Sequence, residues 1–203
     1  MNFIKANQRR LVDDPEIHGN FGSTVGILSL GAVGQTLLRL LEGFDLQVIA
    51  YDPLMSDEEA NSLGVELCTL DEVFKRADVV TLHTPLLEET RHLVRGRHLR
   101  LMKKDTSLIN TSRGLIIHEE EMIAALRDRP DIQAVLDVTS PEPPVPDSPL
   151  YTLPNVSLTQ HSAGARSMER RRHGRIIVEE LRRYVNGEPL RWSVAEERAD
   201  VLS

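Results

Sequence analysis

The sequence is short of cysteine and of long apolar runs. Cys68 is the single cysteine among 203 residues, which excludes an internal disulfide and a cysteine-rich zinc site. No apolar run approaches the roughly 18 residues that a membrane-spanning helix needs. The first 20 residues also lack the uninterrupted apolar stretch of a secretory signal. We therefore expect a cytoplasmic protein with no membrane partner.

An excess of positive charge is also missing. The chain has 31 acidic and 24 basic residues, for a net charge of −7, which argues against nucleic acid as the main partner. We interpret the basic run Arg170–Arg172 as the solvated face of a helix, with an anion site as the less favoured alternative. Five histidines show no ligand spacing with carboxylates or the cysteine, so we predict no metal; they stand at positions 18, 92, 98, 118 and 173.

Strand-like and helix-like segments alternate along the chain. Strands are predicted over residues 24–30, 47–51, 77–83, 107–111, 133–138 and 156–159, and helices over 35–42, 96–104, 119–128 and 167–186. Ser56–Glu59 and Thr69–Glu72 are capping boxes that open two more helices. Residues 77–83 are apolar on both faces, which is typical of a parallel sheet covered on both sides. We predict an α/β fold in one domain, a doubly wound parallel sheet of the Rossmann type.

A glycine-rich turn joins the first predicted strand to the following helix. The segment Ser29–Gly34 reads S-L-G-A-V-G and matches the dinucleotide fingerprint G-x-G-x-x-G except at its first position. Asp52 follows the second strand, where a carboxylate accepts from the ribose hydroxyls of an adenosine and repels a 2′-phosphate, which favours NAD over NADP. A tight turn with a capping aspartate is the alternative. If residue 29 has a positive φ, its serine weakens binding without abolishing it.

Seven segments, in order, carry a resemblance to a known family. They are residues 25–34, 51–53, 83–91, 109–114, 136–143, 153–155 and 161–164. In this order they resemble the cofactor-binding domain of the D-isomer-specific 2-hydroxyacid dehydrogenases, the family of phosphoglycerate, glycerate and D-lactate dehydrogenases. The resemblance implies hydride transfer between NAD(H) and C2 of a small 2-hydroxy or 2-keto acid.

The resemblance also implies three catalytic residues. Arg113 would bind the carboxylate of the substrate and the oxygen being reduced, because a guanidinium pairs with planar oxygens. His161 would be the acid/base, and Glu142 would orient it and favour its charged form. Without the resemblance, a surface arginine, a structural histidine and a loop carboxylate remain the alternatives.

Cofactor contacts are implied at the carboxyl ends of the strands. Thr84, Thr111 and Ser112 are equally compatible with a role as turn residues, and Asp137 is expected near the nicotinamide. The full implied set is Gly31, Ala32, Val33, Gly34, Asp52, Pro53, Thr84, Pro85, Thr111, Ser112, Arg113, Asp137, His161 and Ala163.

The resemblance covers only part of a family member. Residues 1–20 resemble a linking helix, residues 21–190 the NAD-binding domain, and residues 191–203 form a polar tail. Family members also have an N-terminal lobe that closes over the substrate, and we expect that lobe to be missing here. The alternative function is therefore a non-catalytic NAD-binding sensor or partner-binding module. A homodimer is the expected assembly.

Overall fold

The structure is a computed structural model that describes residues 20–194. The linking helix predicted for residues 1–20 lies outside this range apart from Asn20. Residues 195–203 of the predicted tail also lie outside it. Within residues 20–194, no helix is both long enough and apolar enough to cross a membrane.

Seven parallel strands form one sheet, in the order β3-β2-β1-β4-β5-β6-β7. The order reverses between β1 and β4, which are paired neighbours, and ligands bind at such switch points in open α/β sheets. The strands are β1 (Thr24–Leu28), β2 (Gln47–Tyr51), β3 (Glu66–Leu67), β4 (Val79–Leu82), β5 (Ser107–Asn110), β6 (Gln133–Leu136) and β7 (Val156–Leu158).

Helices connect the strands. Both predicted capping boxes are present, with Ser56 and Thr69 as the N-cap residues of the helices Asp57–Ser62 and Leu70–Arg76. The helices are α1 (Ala32–Leu41), α2 (Asp57–Ser62), α3 (Leu70–Arg76), α4 (Gly96–Leu101), α5 (Glu119–Asp128) and α6 (Met168–Val185).

Buried side chains lie on both faces of the sheet. On one face, Leu38 of α1 packs with Val25 and Ile27 of β1. On the other face, the larger core joins strand residues to α3, α4 and α5, with Phe74 and Leu99 fully buried. The predicted doubly wound parallel sheet is confirmed.

Two predicted boundaries at the glycine-rich turn are wrong. The strand predicted to reach Leu30 ends at Leu28, and the helix predicted to begin at Gln35 begins at Ala32. Ser29 causes the first difference, because its φ of +73° turns the chain away from the sheet. Gly31 causes the second, because it is the N-cap residue of the helix and places Ala32 in its first turn.

Residue contacts divide the chain into two units, residues 1–159 and 160–203. The first unit holds the whole sheet and helices α1 to α5. The second holds α6, whose C-cap residue Asn186 is followed by Gly187 at a φ of +69°. The predicted domain range 21–190 stays a prediction.

Candidate cofactor and substrate site

The turn after β1 forms an open cradle at the amino end of α1. Gly31 is the N-cap residue of this ten-residue helix, and no side chain caps it. A Cβ added at Gly31 would meet no atom within 4 Å, whereas one at Gly34 would lie 2.3 Å from the carbonyl oxygen of Ser29. Gly34 thus allows the helix to approach the turn. Gly31 leaves the helix N-terminus accessible to a pyrophosphate, which the N–H groups and dipole of a helix N-terminus favour.

Asp52 stands next to this cradle, directly after β2. Its Oδ2 accepts a hydrogen bond of 2.8 Å from the backbone N–H of Leu30, and its Oδ1 accepts one of 2.9 Å from that of Leu54. Each carboxylate oxygen has a further lone pair with which it can accept from a ribose hydroxyl. The carboxylate therefore ties the glycine-rich turn to the end of β2 and fits the adenosine of NAD.

The loop after β4 contacts the glycine-rich turn at the switch point. We call the space between these two segments the crevice, and the loop after β4 is one of its walls. Thr84 is buried and accepts a 3.0 Å hydrogen bond from the hydroxyl of Ser29. Thr90 closes the following loop, where its hydroxyl donates to the carbonyl of Pro85 at 2.7 Å. Burial lowers the pKa of His83, whose ring lies 3.1 Å from the Thr81 hydroxyl. Hydrogen bonds of hydroxyl groups thus hold the loop after β4 in place.

The loop after β5 holds Arg113. Asn110, at the end of the strand, accepts from the backbone N–H and the hydroxyl of Ser112, and its amide donates to the Arg113 carbonyl at 3.0 Å. The Arg113 guanidinium donates to the Ser112 carbonyl at 2.8 Å. Thr111 lies between Asn110 and Ser112. These bonds fix the backbone of the loop that presents the guanidinium.

The loops after β5 and β6 are in close contact. A Cβ at Gly114 would lie 2.0 Å from the carbonyl oxygen of Thr139, so only glycine fits there. Glu119, the first residue of α5, accepts a 2.9 Å hydrogen bond from the backbone N–H of Ser140, and burial raises the pKa of its carboxyl. The close approach of Gly114 to Thr139 thus joins the Arg113 loop to the loop that carries Glu142, and the Glu119 bond holds that second loop against α5.

Asp137 lies at the carboxyl end of β6. It is buried, with 4% of its surface exposed, and its Oδ1 accepts a hydrogen bond from the hydroxyl of Thr159. Its backbone N–H donates to the carbonyl of Asn110 at 3.0 Å. The polar side chains after β1, β2, β4, β5 and β6 therefore share one edge of the sheet, which is where the sequence predicts them.

His161 and Ala163 belong to the second unit. His161 is exposed and has a φ of +48°. Arg166 donates hydrogen bonds to the carbonyls of Gln160 and His161, the latter at 3.2 Å. The pairing of His161 with Glu142 stays a prediction.

Several contacts of the site have no sequence signal of their own. The pairs Ser29–Thr84, Asp137–Thr159 and Glu119–Ser140 join residues that are 55, 22 and 21 positions apart. The spacing of motifs along a chain does not report such contacts. For metals, no group of three histidine, cysteine or acidic residues is arranged to hold an ion within residues 20–194.

The open helix N-terminus, the carboxylate at the end of β2 and the switch point are together typical of a dinucleotide-binding domain. Residues 3–163 match the family described as "D-isomer specific 2-hydroxyacid dehydrogenase, NAD binding domain". The chain belongs to this family. The predicted resemblance is confirmed, and so is NAD as the cofactor.

Curated relatives support the same assignment. The chain is 38% identical over 169 residues to the D-3-phosphoglycerate dehydrogenase of Methanocaldococcus jannaschii, covering 83% of this chain and 32% of that protein. It is 36% identical over 168 residues to the glyoxylate reductase of Korarchaeum cryptofilum, covering 83% of this chain and 51% of that protein. The chain thus spans about a third to a half of these relatives.

Solved structures show the same fold. The apo D-mandelate dehydrogenase of Rhodotorula graminis superposes with a TM-score of 0.76 at 29% identity, covering 88% of this chain and 53% of the other. The D-lactate dehydrogenase of Lactobacillus jensenii, solved with NAD+, has a TM-score of 0.76 at 26% identity, covering 96% and 63%. These relatives are three dehydrogenases and one reductase, in agreement with the predicted class of oxidoreductase.

Proposed function

We propose that this chain is the cofactor-binding and catalytic portion of an NAD-dependent oxidoreductase that acts at C2 of a small 2-hydroxy or 2-keto acid. The observation that supports it most is the contact at Gly114, which packs the Arg113 loop against the Glu142 loop beside Asp137. Bound NADH supplies the hydride. The residues of the chain bind the acid and transfer one proton.

Arg113 is the proposed substrate-binding residue. In the reduction of a 2-keto acid, its guanidinium binds the carboxylate and stabilises the negative charge that develops on the carbonyl oxygen. Asn110 and Ser112 hold the backbone of its loop, which limits the entropy lost when substrate binds. Asp137 accepts from the nicotinamide carboxamide in this proposal.

His161 is the proposed proton donor and acceptor. Its imidazolium donates a proton to the carbonyl oxygen as C2 is reduced, and the neutral ring takes the proton back in the oxidation of the hydroxy acid. Glu142 is the proposed partner that favours the imidazolium. Its replacement in Glu142→Gln is expected to slow reduction, because a negative charge that stabilises the imidazolium is lost.

A label-transfer experiment tests this function with the 203-residue chain. NADH carrying deuterium at the transferred position of C4 is incubated with a panel of small 2-keto acids, and the products are analysed by mass spectrometry. We expect a 2-hydroxy acid deuterated at C2, formed slowly because the chain spans only part of its relatives. His161→Ala is expected to reduce the rate by about 10²–10⁴-fold.

Two results would count against this function. If NADH binds and no 2-keto acid acquires deuterium, the result supports a non-catalytic NAD-binding sensor or partner-binding module. If His161→Ala transfers the label at the wild-type rate, the histidine is not the acid. The homodimer and the cytoplasmic location remain proposals; sedimentation equilibrium measures the first, and cell fractionation measures the second.

A further inference from the structure

Ser29 is the one residue that departs from the glycine fingerprint of the turn. Its φ of +73° lies in the left-handed region, which a residue with a side chain adopts at a cost. From the sequence alone, the serine is therefore expected to weaken cofactor binding. The structure supplies a compensating contact that a glycine could not make.

The Ser29 side chain bridges the crevice between β1 and β4. Its hydroxyl donates to Thr84 Oγ1 at 3.0 Å, and the Thr84 hydroxyl lies 3.4 Å from the carbonyl of Leu28, to which it donates in turn. Thr84 is only 3% exposed, so water competes little for these bonds. Meanwhile the Ser29 backbone N–H donates to the carbonyl of Tyr51 at 2.8 Å. The turn is thus attached to the ends of both neighbouring strands.

The position of Ser29 also sets that of the pyrophosphate cradle. Its carbonyl oxygen lies against Gly34, in the first turn of α1. The next residue, Leu30, donates its N–H to Asp52. A shift of Ser29 would therefore move both the helix N-terminus and the carboxylate that reads the ribose, relative to the wall at Thr84.

We propose that Ser29 is a positioning residue for the cofactor. Its hydroxyl bridge to Thr84 holds the two walls of the crevice at the spacing that NAD requires before the cofactor arrives. The serine then supports binding, although it replaces the glycine of the fingerprint. The inference rests on the predicted cofactor contacts at Gly31, Asp52 and Thr84.

Four single variants, and the double variant of Ser29→Ala with Thr84→Val, test the bridge in the 203-residue chain. Ser29→Ala and Thr84→Val each remove one hydroxyl of the bridge, Ser29→Gly restores the fingerprint, and Thr84→Ser keeps the hydroxyl. Dissociation constants for NADH and for ADP-ribose are measured by calorimetry, and melting temperatures are measured without ligand. Thr152→Val is the control, because it removes a hydroxyl bond to Pro149 ahead of β7, at the amino end of the sheet.

We expect Ser29→Ala and Thr84→Val each to weaken NADH and ADP-ribose binding by about 3- to 10-fold, the scale of one lost hydrogen bond. The double variant should bind NADH no more weakly than Thr84→Val alone, because that change already removes the contact with Ser29. Thr152→Val should bind within about twofold of wild type, and Thr84→Ser, which keeps the hydroxyl, should lose less affinity than Thr84→Val. Ser29→Gly should also weaken binding, even though its backbone is relaxed and its melting temperature is unchanged or higher.

Three results would overturn the bridge. One is that Ser29→Gly binds NADH as tightly as wild type or more tightly. Another is that the losses from Ser29→Ala and Thr84→Val add in the double variant. The third is that melting temperatures fall while both dissociation constants stay fixed, which is the signature of a merely structural contact. A wild-type chain that binds neither ligand would instead contradict the cofactor assignment, and the melting temperatures of the four variants would still measure the bridge.

Discussion

Replacing Gly34 with alanine should damage the fold and the cofactor site together. The added Cβ would lie 2.3 Å from the carbonyl oxygen of Ser29 and 3.3 Å from its carbonyl carbon. Both are backbone atoms, so no side-chain rotation relieves the overlap. Ordinary contact requires roughly 1 Å more, so the first turn of α1 must move away from the β1 end.

The size of the effect follows from that displacement. Overpacking of this kind costs about 1–3 kcal/mol, or a fall of about 2–12 °C in melting temperature for a domain of this size. Hydrogen bonds to charged groups contribute about 1.5–3 kcal/mol each, and a shift of roughly 1 Å would break the bonds that we propose between the helix N-terminus and the pyrophosphate. We therefore expect NADH affinity to fall by about 100-fold or more for Gly34→Ala.

Two matched glycine variants separate folding from binding. Gly31→Ala adds a Cβ that meets nothing within 4 Å, so the chain should melt like wild type but bind NADH weakly, because the methyl group occupies the cofactor's space. Gly43→Ala also adds its Cβ in open space, at the far end of α1, and should change neither property. Thermal unfolding and NADH titration measure both. Wild-type NADH affinity in Gly31→Ala would refute the assignment of the cradle to the pyrophosphate.

Two further predictions concern stability and pH. Arg129 forms a paired ion contact with Asp131 at 2.6 and 2.9 Å, which lowers the pKa of that carboxyl. Asp131→Asn should therefore lower the free energy of unfolding by about 1–3 kcal/mol at pH 7. In urea unfolding, this difference from wild type should begin to shrink as the pH falls below about 4 and should be lost as the pH passes the lowered pKa. Burial lowers the pKa of His98, so folding excludes its proton and stability should fall as the pH drops below about 6.5. His98→Asn keeps an acceptor for the N–H of Arg95 and should flatten that fall; an unchanged slope would contradict the prediction.

The helices were predictable because their sequence signals are local. Both capping boxes, at Ser56 and Thr69, appear in the sequence as a hydroxyl followed three residues later by a glutamate. The helix over Glu119–Asp128 has the predicted bounds. Such features depend on residues within one helical turn of each other, so a sequence pattern is enough to find them.

The contacts that shape the site were not predictable because they join distant residues. Gly114 looks like one more loop glycine until the sheet brings it against Thr139. Similarly, the sequence shows Ser29 only as a departure from the fingerprint, whereas the structure shows that its hydroxyl bonds to Thr84. Motif resemblance predicted which residues gather at the carboxyl edge. The hydrogen bonds between neighbouring loops required the three-dimensional structure.

The most direct test of the account compares NADH and NADPH by isothermal titration of the 203-residue chain. The Asp52 carboxylate accepts a hydrogen bond from Leu30 of the glycine-rich turn. In the proposed site it would accept from ribose hydroxyls and would repel a 2′-phosphate. We predict that NADH binds about tenfold or more tightly than NADPH. Asp52→Asn, which keeps an acceptor oxygen but removes the charge, should narrow that gap. Equal affinity of the wild-type chain for the two cofactors, or no binding of either, would contradict the assignment of this edge of the sheet to NAD.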